Sequence, residues 1–275
     1  MMLLLVGSPE GHLSHSGQAG QAGQAGEWLG RDGAPLPFTS DAEVEDFLRT
    51  AKIVASKELE GTRNRPLKLT LSKDGVKARA IFRTVDKKRS SARVGRLLIR
   101  DYHDSYIYEC AAYKLSRLLV IDNVPPCVLR TIDGEKGSVQ LWIEQATTEF
   151  QNRYDVDGPT APERWPSVFD TMRVFDALID NFDRHPGNVL VDSRDRVWFI
   201  DHTRSFRLYT TAPKLELAAR RNPDHLNLIR ALRSLDKKKL EVLKPFVSFR
   251  HIAALMRRRD QILEQLTGGT ESPVH

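Results

Sequence analysis

From Ser40 onward the apolar positions of the chain switch between two periods. Val44, Phe47, Leu48 and Ala51 recur at helical spacing behind Ser40, a side chain suited to cap a helix, and predict a first helix. The period then shortens to two. Leu67, Leu69 and Leu71 alternate with Lys68 and Thr70, and beyond a turn at Ser72 to Gly75 the residues Ala78, Ala80 and Phe82 alternate with Lys77, Arg79, Ile81 and Arg83, which predicts a β-hairpin. Asp86 to Arg96 is dominated by charge and reads as an exposed loop. Helical spacing returns from about Ser105 to Val120 through Ile107, Ala111, Leu115 and Leu118, closed by Asp122-Asn123 and Pro125-Pro126. Val139 to Ile143 reads as a further strand.

Thr147 to Pro166 is polar and contains prolines, and reads as a boundary between two lobes. Past it, Val168, Met172, Phe175 and Ile179 mark one face of a helix. Val189 to Val191 and Val197 to Ile200 flank Asp192 to Arg196 as a short hairpin. From about Lys214 to Leu266 the pattern is helical and basic, through Leu226, Ile229 and Leu232 and then Ile252, Leu255, Ile262 and Leu266. Residues 1–38 lack such periodicity, and a Gln-Ala-Gly triplet repeats from Gln18 to Gly26, so this stretch reads as a disordered tail or as translation from a mistaken upstream start. The pattern therefore predicts an α+β chain: a mixed lobe over 39–146 and a mainly helical lobe over 147–275. No internal repeat is visible.

Composition narrows the class. The 275 residues are 40% hydrophobic, enough for a buried core in one large domain or two lobes. Forty-two Lys and Arg against 36 Asp and Glu leave +6, mild basicity rather than the stripe of a nucleic-acid binder. No apolar run reaches the roughly 18 residues of a membrane span, and Met1 to Val6 is too short for a signal-peptide core, so a soluble cytoplasmic protein is the expectation. Cys110 and Cys127 are too few for a disulfide framework or a structural zinc site.

The chemistry concentrates in Asp180-Asn181-Phe182-Asp183-Arg184-His185-Pro186-Gly187-Asn188, followed by the short hairpin and Asp201. A loop leaving a helix carries Asp183 and Asn188, and Asp201 ends the second strand, so a hairpin brings all three to one edge. Oxygen ligands of this kind suit Mg²⁺ or Mn²⁺ shared with substrate phosphates. The D-x4-N spacing, with a second Asp after a hairpin, is that of a kinase catalytic loop and points to phosphoryl transfer. The plain alternative makes Asp183-Arg184 a local ion pair, Asn188 a turn residue and Asp201 a strand-end cap.

The run Asp180 to Asn188 resembles the D-x-x-x-D-R-H-x-x-N pattern of atypical kinases, among them phosphatidylinositol 3/4-kinases and HipA-type bacterial kinases. Gly61-Thr62, Lys68 to Phe82, Tyr108 to Leu119 and Val124-Pro125-Pro126 are similar to the small lobe of the secretory-pathway casein-kinase family. The resemblance implies a two-lobed atypical kinase-like fold, in a bacterial-style member, with ATP and Mg²⁺ or Mn²⁺ as cofactors. It makes Asp183 the catalytic Asp, with His185 near the γ-phosphate or shaping the loop, and Asn188 and Asp201 the metal ligands. Glu109 becomes the helix glutamate that positions the phosphate-binding lysine, and Glu144 lies at the hinge beside the adenine.

The lysine itself is replaced by Arg83, which is not a conservative change at a fitted phosphate site. Lys77 on the same strand face, or Lys68 on the neighbouring strand, is the expected substitute. A G-x-G-x-x-G loop is absent, and the cysteines depart from secreted relatives, which use disulfides. Two functions follow from the resemblance: an active phosphotransferase with a protein, lipid, sugar or small molecule as acceptor, or a pseudokinase that binds nucleotide or a partner protein. Either way Glu109 is expected to pair with Arg83.

Overall fold

The structure is a computed structural model and describes residues 28–61, 64–94, 96–149, 165–217 and 223–268. Ser40 caps helix α1 (Asp41–Thr50) by accepting from the Glu43 amide, and α1 buries Val44, Phe47 and Leu48. Strands β2 (Leu67–Lys73) and β3 (Val76–Arg83) form the expected hairpin, with Leu69 opposite Ala80 and Leu71 opposite Ala78. Its turn places both Asp74 and Gly75 in the left-handed region, which glycine adopts without strain. The hairpin lies inside a five-stranded antiparallel sheet of order β1-β2-β3-β7-β6, where β1 is Lys52–Glu58, β6 Cys127–Ile132 and β7 Glu135–Leu141. Helix α1 packs on β6 and β7, and the Arg130 guanidinium donates to the carbonyls of Leu48 and Ala51 that close it.

Two expectations about this half are corrected. Residues 28–38 are not a disordered tail: Trp28, Leu36 and Phe38 are buried, Trp28 lies 5.2 Å from the Trp198 ring, and Phe38 lies 5.2 Å from Phe47. These three apolar residues follow no common period, because Trp28 packs on Trp198 whereas Phe38 packs on Phe47 of α1, so periodicity could not find them. The Gln-Ala-Gly triplets lie outside the described residues. Nor is Asp86 to Arg96 a loop: β4 (Asp86–Val94) pairs with β5 (Leu97–Ser105) from Asp86 opposite Ser105 to Val94 opposite Leu97. The apolar residues Ala92, Val94 and Ile99 alternate with cations there, and the charge count hid the alternation.

Helix α2 (Ile107–Leu118) buries Ala111 and Leu115 of the expected face, leaves Ile107 and Leu118 half-buried, and buries Tyr108 and Ala112 as well. Cys110 on α2 and Cys127 at the start of β6 form a disulfide, with Cα atoms 4.9 Å apart. That overturns the expected absence of disulfides and sits poorly with the cytoplasmic expectation, because such bonds persist mainly in oxidising compartments.

In the second half, β8 (Ala146–Thr148), β9 (Val189–Asp192) and β10 (Val197–Phe199) form a three-stranded sheet of order β10-β9-β8. The expected lobe boundary begins within β8, and most of it, residues 150–164, lies outside the described residues. Helix α3 (Trp165–Ile179) packs against β10 and against two further helices, α4 (Pro223–Ser234) and α5 (Phe249–Thr267). On α4 the core face is Leu228, Ala231 and Leu232, whereas Leu226, read as a core position, is 57% exposed. No helix among the described residues is long and apolar enough to cross a membrane.

Candidate active site

Helix α3 ends at Ile179, and Asp180 adopts a left-handed backbone that turns the chain into the loop. Arg184 fixes that loop from inside. Its Nε lies 2.8 Å from Asp176 Oδ2, and its Nη1 donates to the carbonyls of Asn188 (2.6 Å) and Ile200 (2.8 Å), tying the loop to the end of β10. Asn188 Nδ2 donates to the Asp183 carbonyl at 3.1 Å, which leaves its amide oxygen available. His185 is exposed; its Nδ1 accepts from the Gly187 amide and caps the turn over Pro186–Asn188. Asp201 follows β10 in the left-handed region and accepts from Thr203 Oγ1 at 3.2 Å. Burial pushes its pKa up, with Arg83 opposing and Glu109 and Asp104 adding to the rise.

Asp183, Asn188 and Asp201 line a cavity of about 630 Å³ together with Arg83 at the end of β3. Ile81, Leu141, Ile143 and Leu190 line it too. One cavity thus offers apolar surface for a flat ring and charged groups for phosphates.

Arg83 makes the expected pair: its Nε lies 3.6 Å from Glu109 Oε1 on α2. His202 Nδ1 stands 3.5 Å from the other Glu109 oxygen, and His202 Nε2 is 3.0 Å from Arg184 Nη2. An arginine can only donate, so Nε2 accepts and an Nδ1 proton faces Glu109. Burial raises the Glu109 carboxyl, but Arg83 and His202 outweigh it and hold the group well below the usual carboxylate range. A continuous polar chain, Arg83–Glu109–His202–Arg184–Asp176, therefore connects the small-lobe strand to the loop. On the other side Arg204 reaches Asp183 Oδ2 with Nη1 (2.9 Å) and Asp104 Oδ2 with Nε (3.1 Å).

Three expected residues stand elsewhere. Lys77 is exposed beside the hairpin turn, six residues along β3 from Arg83, and so about 20 Å away on the same face. Lys68 sits with its ammonium 3.7 Å from the Trp142 ring centre instead of entering the cavity. Glu144 is buried in a two-pronged ion pair with Arg79 and does not line the cavity, although Trp142 and Ile143 beside it do. Among the described residues, the arginines and lysines lining the cavity are Arg83 and Arg204. His202 and Arg204 were missed by sequence reading, though both follow Asp201 within three residues. The plain alternative paired Arg184 with its neighbour Asp183, whereas the structure pairs it with Asp176.

Among the described residues no group of three or more His, Cys, Asp or Glu could hold a metal unaided. Asn188 and Asp201 supply one amide oxygen and one carboxylate. That set is too small to hold a hard divalent cation alone and fits one whose remaining positions are filled by oxygens from outside the chain.

No known family and no curated protein matches the sequence. Solved structures do. Hydra Fam20 with sugar aligns at a TM-score of 0.57 and 16% identity, covering 83% of this chain and 89% of that chain. The Golgi casein kinase with Mn/ADP bound aligns at 0.54 and 15%, covering 84% and 77%. The Helicobacter pylori proinflammatory kinase CtkA aligns at 0.51 and 15%, covering 82% and 99%. At these identities the likeness is one of architecture: the chain has an α+β, kinase-like fold.

Proposed function

We propose that the protein is an atypical kinase, transferring the γ-phosphoryl group of ATP to a hydroxyl acceptor with Mg²⁺ or Mn²⁺. The observation that carries this reading is the convergence of Asp183, Asn188 and Asp201 on one cavity with the Arg83–Glu109 pair. Asn188 and Asp201 would hold the cation, which neutralises phosphate charge when bound. Asp183 orients the acceptor hydroxyl and takes its proton as the oxygen–phosphorus bond forms and the bond to the ADP oxygen breaks. Arg83, fixed by Glu109, offers its guanidinium to phosphate oxygens. Ile81 and Ile143 supply apolar surface for the base. The Mn/ADP held by the structurally similar Golgi casein kinase supports the choice of cofactors.

A second reading, a pseudokinase that binds nucleotide without efficient transfer, is favoured by two facts: arginine stands at 83, and Arg204 engages the Asp183 carboxylate. The test is ATP consumption by wild type and Asp183→Asn at saturating Mn²⁺, alongside thermal shifts with Mn²⁺-ATP. Turnover lost in Asp183→Asn supports the kinase. A shift without turnover, abolished in Asp201→Asn, supports the pseudokinase, because a ligand bound to the native state must raise its stability. Neither shift nor turnover removes both.

A further inference from the structure

The β4–β5 hairpin carries a second surface that phosphoryl transfer does not use. Its root lies at the active-site cavity: Thr84 and Val85 line it, and so does Val94 near the tip. The register gives the outer half of the ribbon two unlike faces. Ala92 pairs with Ile99, and Val94 shares their face; all three are buried or half-buried. Ser91 opposite Arg100, and Arg93 opposite Leu98, make up the other face, and all four are exposed. Farther in, the left-handed Asp101 breaks the alternation and turns Tyr102 inward.

Residues 89–100 contain Arg89, Arg93, Arg96 and Arg100 and no acidic residue. Among the described residues none of these four guanidinium groups has an ion-pair partner; the ribbon's acids lie nearer its root, where Asp104 is held by Arg204 and Asp101 stands 3.2 Å from the His103 ring. Exposed arginines on a strand edge could simply deter pairing between sheets. Leu98 distinguishes the two cases: it is 59% exposed in the middle of the cationic face, next to Arg93 and opposite it in register. A leucine there weakens a purely repulsive edge and offers nothing to a purely ionic partner. Cations ringing an exposed apolar side chain match the headgroup region of an anionic bilayer, where charge meets lipid phosphate and the leucine enters the acyl boundary.

We infer that the outer face of this hairpin docks the protein on an anionic lipid surface, with the cavity mouth held close to the membrane. This goes beyond the phosphotransfer reading and does not depend on it.

The experiment is co-sedimentation of the full chain, without nucleotide, on vesicles of phosphatidylcholine alone and of phosphatidylcholine with phosphatidylserine. Binding is expected only to the anionic vesicles. The triple variant Arg93→Gln/Arg96→Gln/Arg100→Gln should lose about a hundredfold in affinity. Leu98→Ser should lose about tenfold, and that loss should persist at raised salt, where the cationic contribution is screened. All four positions are exposed, so the melting temperatures of these variants should match wild type.

Failure of wild type to sediment with anionic vesicles overturns the inference, as does equal sedimentation with both vesicle types. Capture by polyglutamate but not by vesicles, unchanged in Leu98→Ser, also overturns it and assigns the face to an acidic polypeptide. Because no nucleotide is present, these results leave the ATP-consumption test untouched. Loss of turnover in Asp183→Asn, equally, leaves vesicle binding standing.

Discussion

Arg204 holds Asp183 in a direct ion pair, Nη1 to Oδ2 at 2.9 Å, from a position three residues past Asp201. The same guanidinium pairs with Oδ2 of Asp104, which is almost wholly buried and whose Oδ2 also accepts from the Tyr102 hydroxyl at 3.2 Å. Removing Arg204 strands a buried carboxylate, and breaking a buried pair from one side typically costs about 3–5 kcal/mol. Arg204→Gln is expected to lose about 3 kcal/mol by urea unfolding, and adding Asp104→Asn should recover a large part of it. A loss confined to a few tenths would show that water replaces the arginine.

His251 gives a pH signature distinct from the active site. Its ring packs 6.2 Å from His103 on β5 and 6.3 Å from Tyr108 on α2, and its Nδ1 accepts from the Ser248 amide at 3.1 Å. Burial draws its pKa below 6.5, His103 adds to the drop, Asp101 opposes it, and Lys88 and Arg258 reinforce it. With the folded value below the unfolded one, its contribution is fully present above pH 6.5 and is lost as pH falls through the folded value. Wild-type stability should therefore decline as pH falls below 6.5. His251→Gln, which keeps a capping side chain at the third helical position, should flatten that slope. Parallel profiles would remove His251 as the cause.

Trp28 tests whether the segment before α1 belongs to the core. It is buried against Trp198, and Trp→Ala changes at such sites cost about 3–5 kcal/mol. Trp28→Ala is expected to fall in that range. A melting temperature equal to wild type would return residues 28–38 to the status of a tail.

The disulfide closes a separation of 17 residues between α2 and β6. Cross-links of that span are worth about 3 kcal/mol in the chain-entropy account. Iodoacetamide should label Cys110 and Cys127 only after reduction, and Cys127→Ser should melt well below wild type. Labelling of the native, unreduced chain at both sites would disprove the bond.

Legibility differed by kind of signal. Elements whose burial is periodic were readable: α1, the β2–β3 hairpin, α2 and the β9–β10 hairpin all follow the residues whose spacing announced them. Asp183, Asn188 and Asp201 were readable because their positions are set by short local connections, and they do line one cavity. Residues whose role depends on a distant partner were not. Glu144 was placed at the hinge by the resemblance, as the residue following a strand, but Arg79 on the neighbouring β3 captures it. Lys77 was assigned by strand face and Lys68 by its place on the neighbouring strand, without the distance along β3 or the pull of Trp142. Arg204 reaches back 100 residues to Asp104, a contact no local pattern encodes.

Arg83 decides between enzyme and pseudoenzyme. Its side chain is mostly buried, its Nε faces Glu109, and its Nη1 is buried with no hydrogen-bond partner among the described residues. A spare buried donor beside the cavity is costly unless something satisfies it, and a phosphate oxygen would. Arg83→Lys keeps the charge next to Glu109 but exchanges a planar fork for a compact ammonium. If arginine is a working part of an active site, the exchange should change ATP turnover by no more than about tenfold, about 1.4 kcal/mol of barrier, while Asp183→Asn removes turnover. If arginine is what blocks transfer, Arg83→Lys should create or raise turnover from a silent wild type. Arg83→Ala should be destabilised in either case, because it removes the guanidinium that balances the buried Glu109 carboxylate and leaves it only the His202 ring. ATP consumption by wild type, Arg83→Lys and Asp183→Asn at saturating Mn²⁺ separates these outcomes. Wild-type turnover that persists in Asp183→Asn would place the chemistry outside this loop and refute both readings at once.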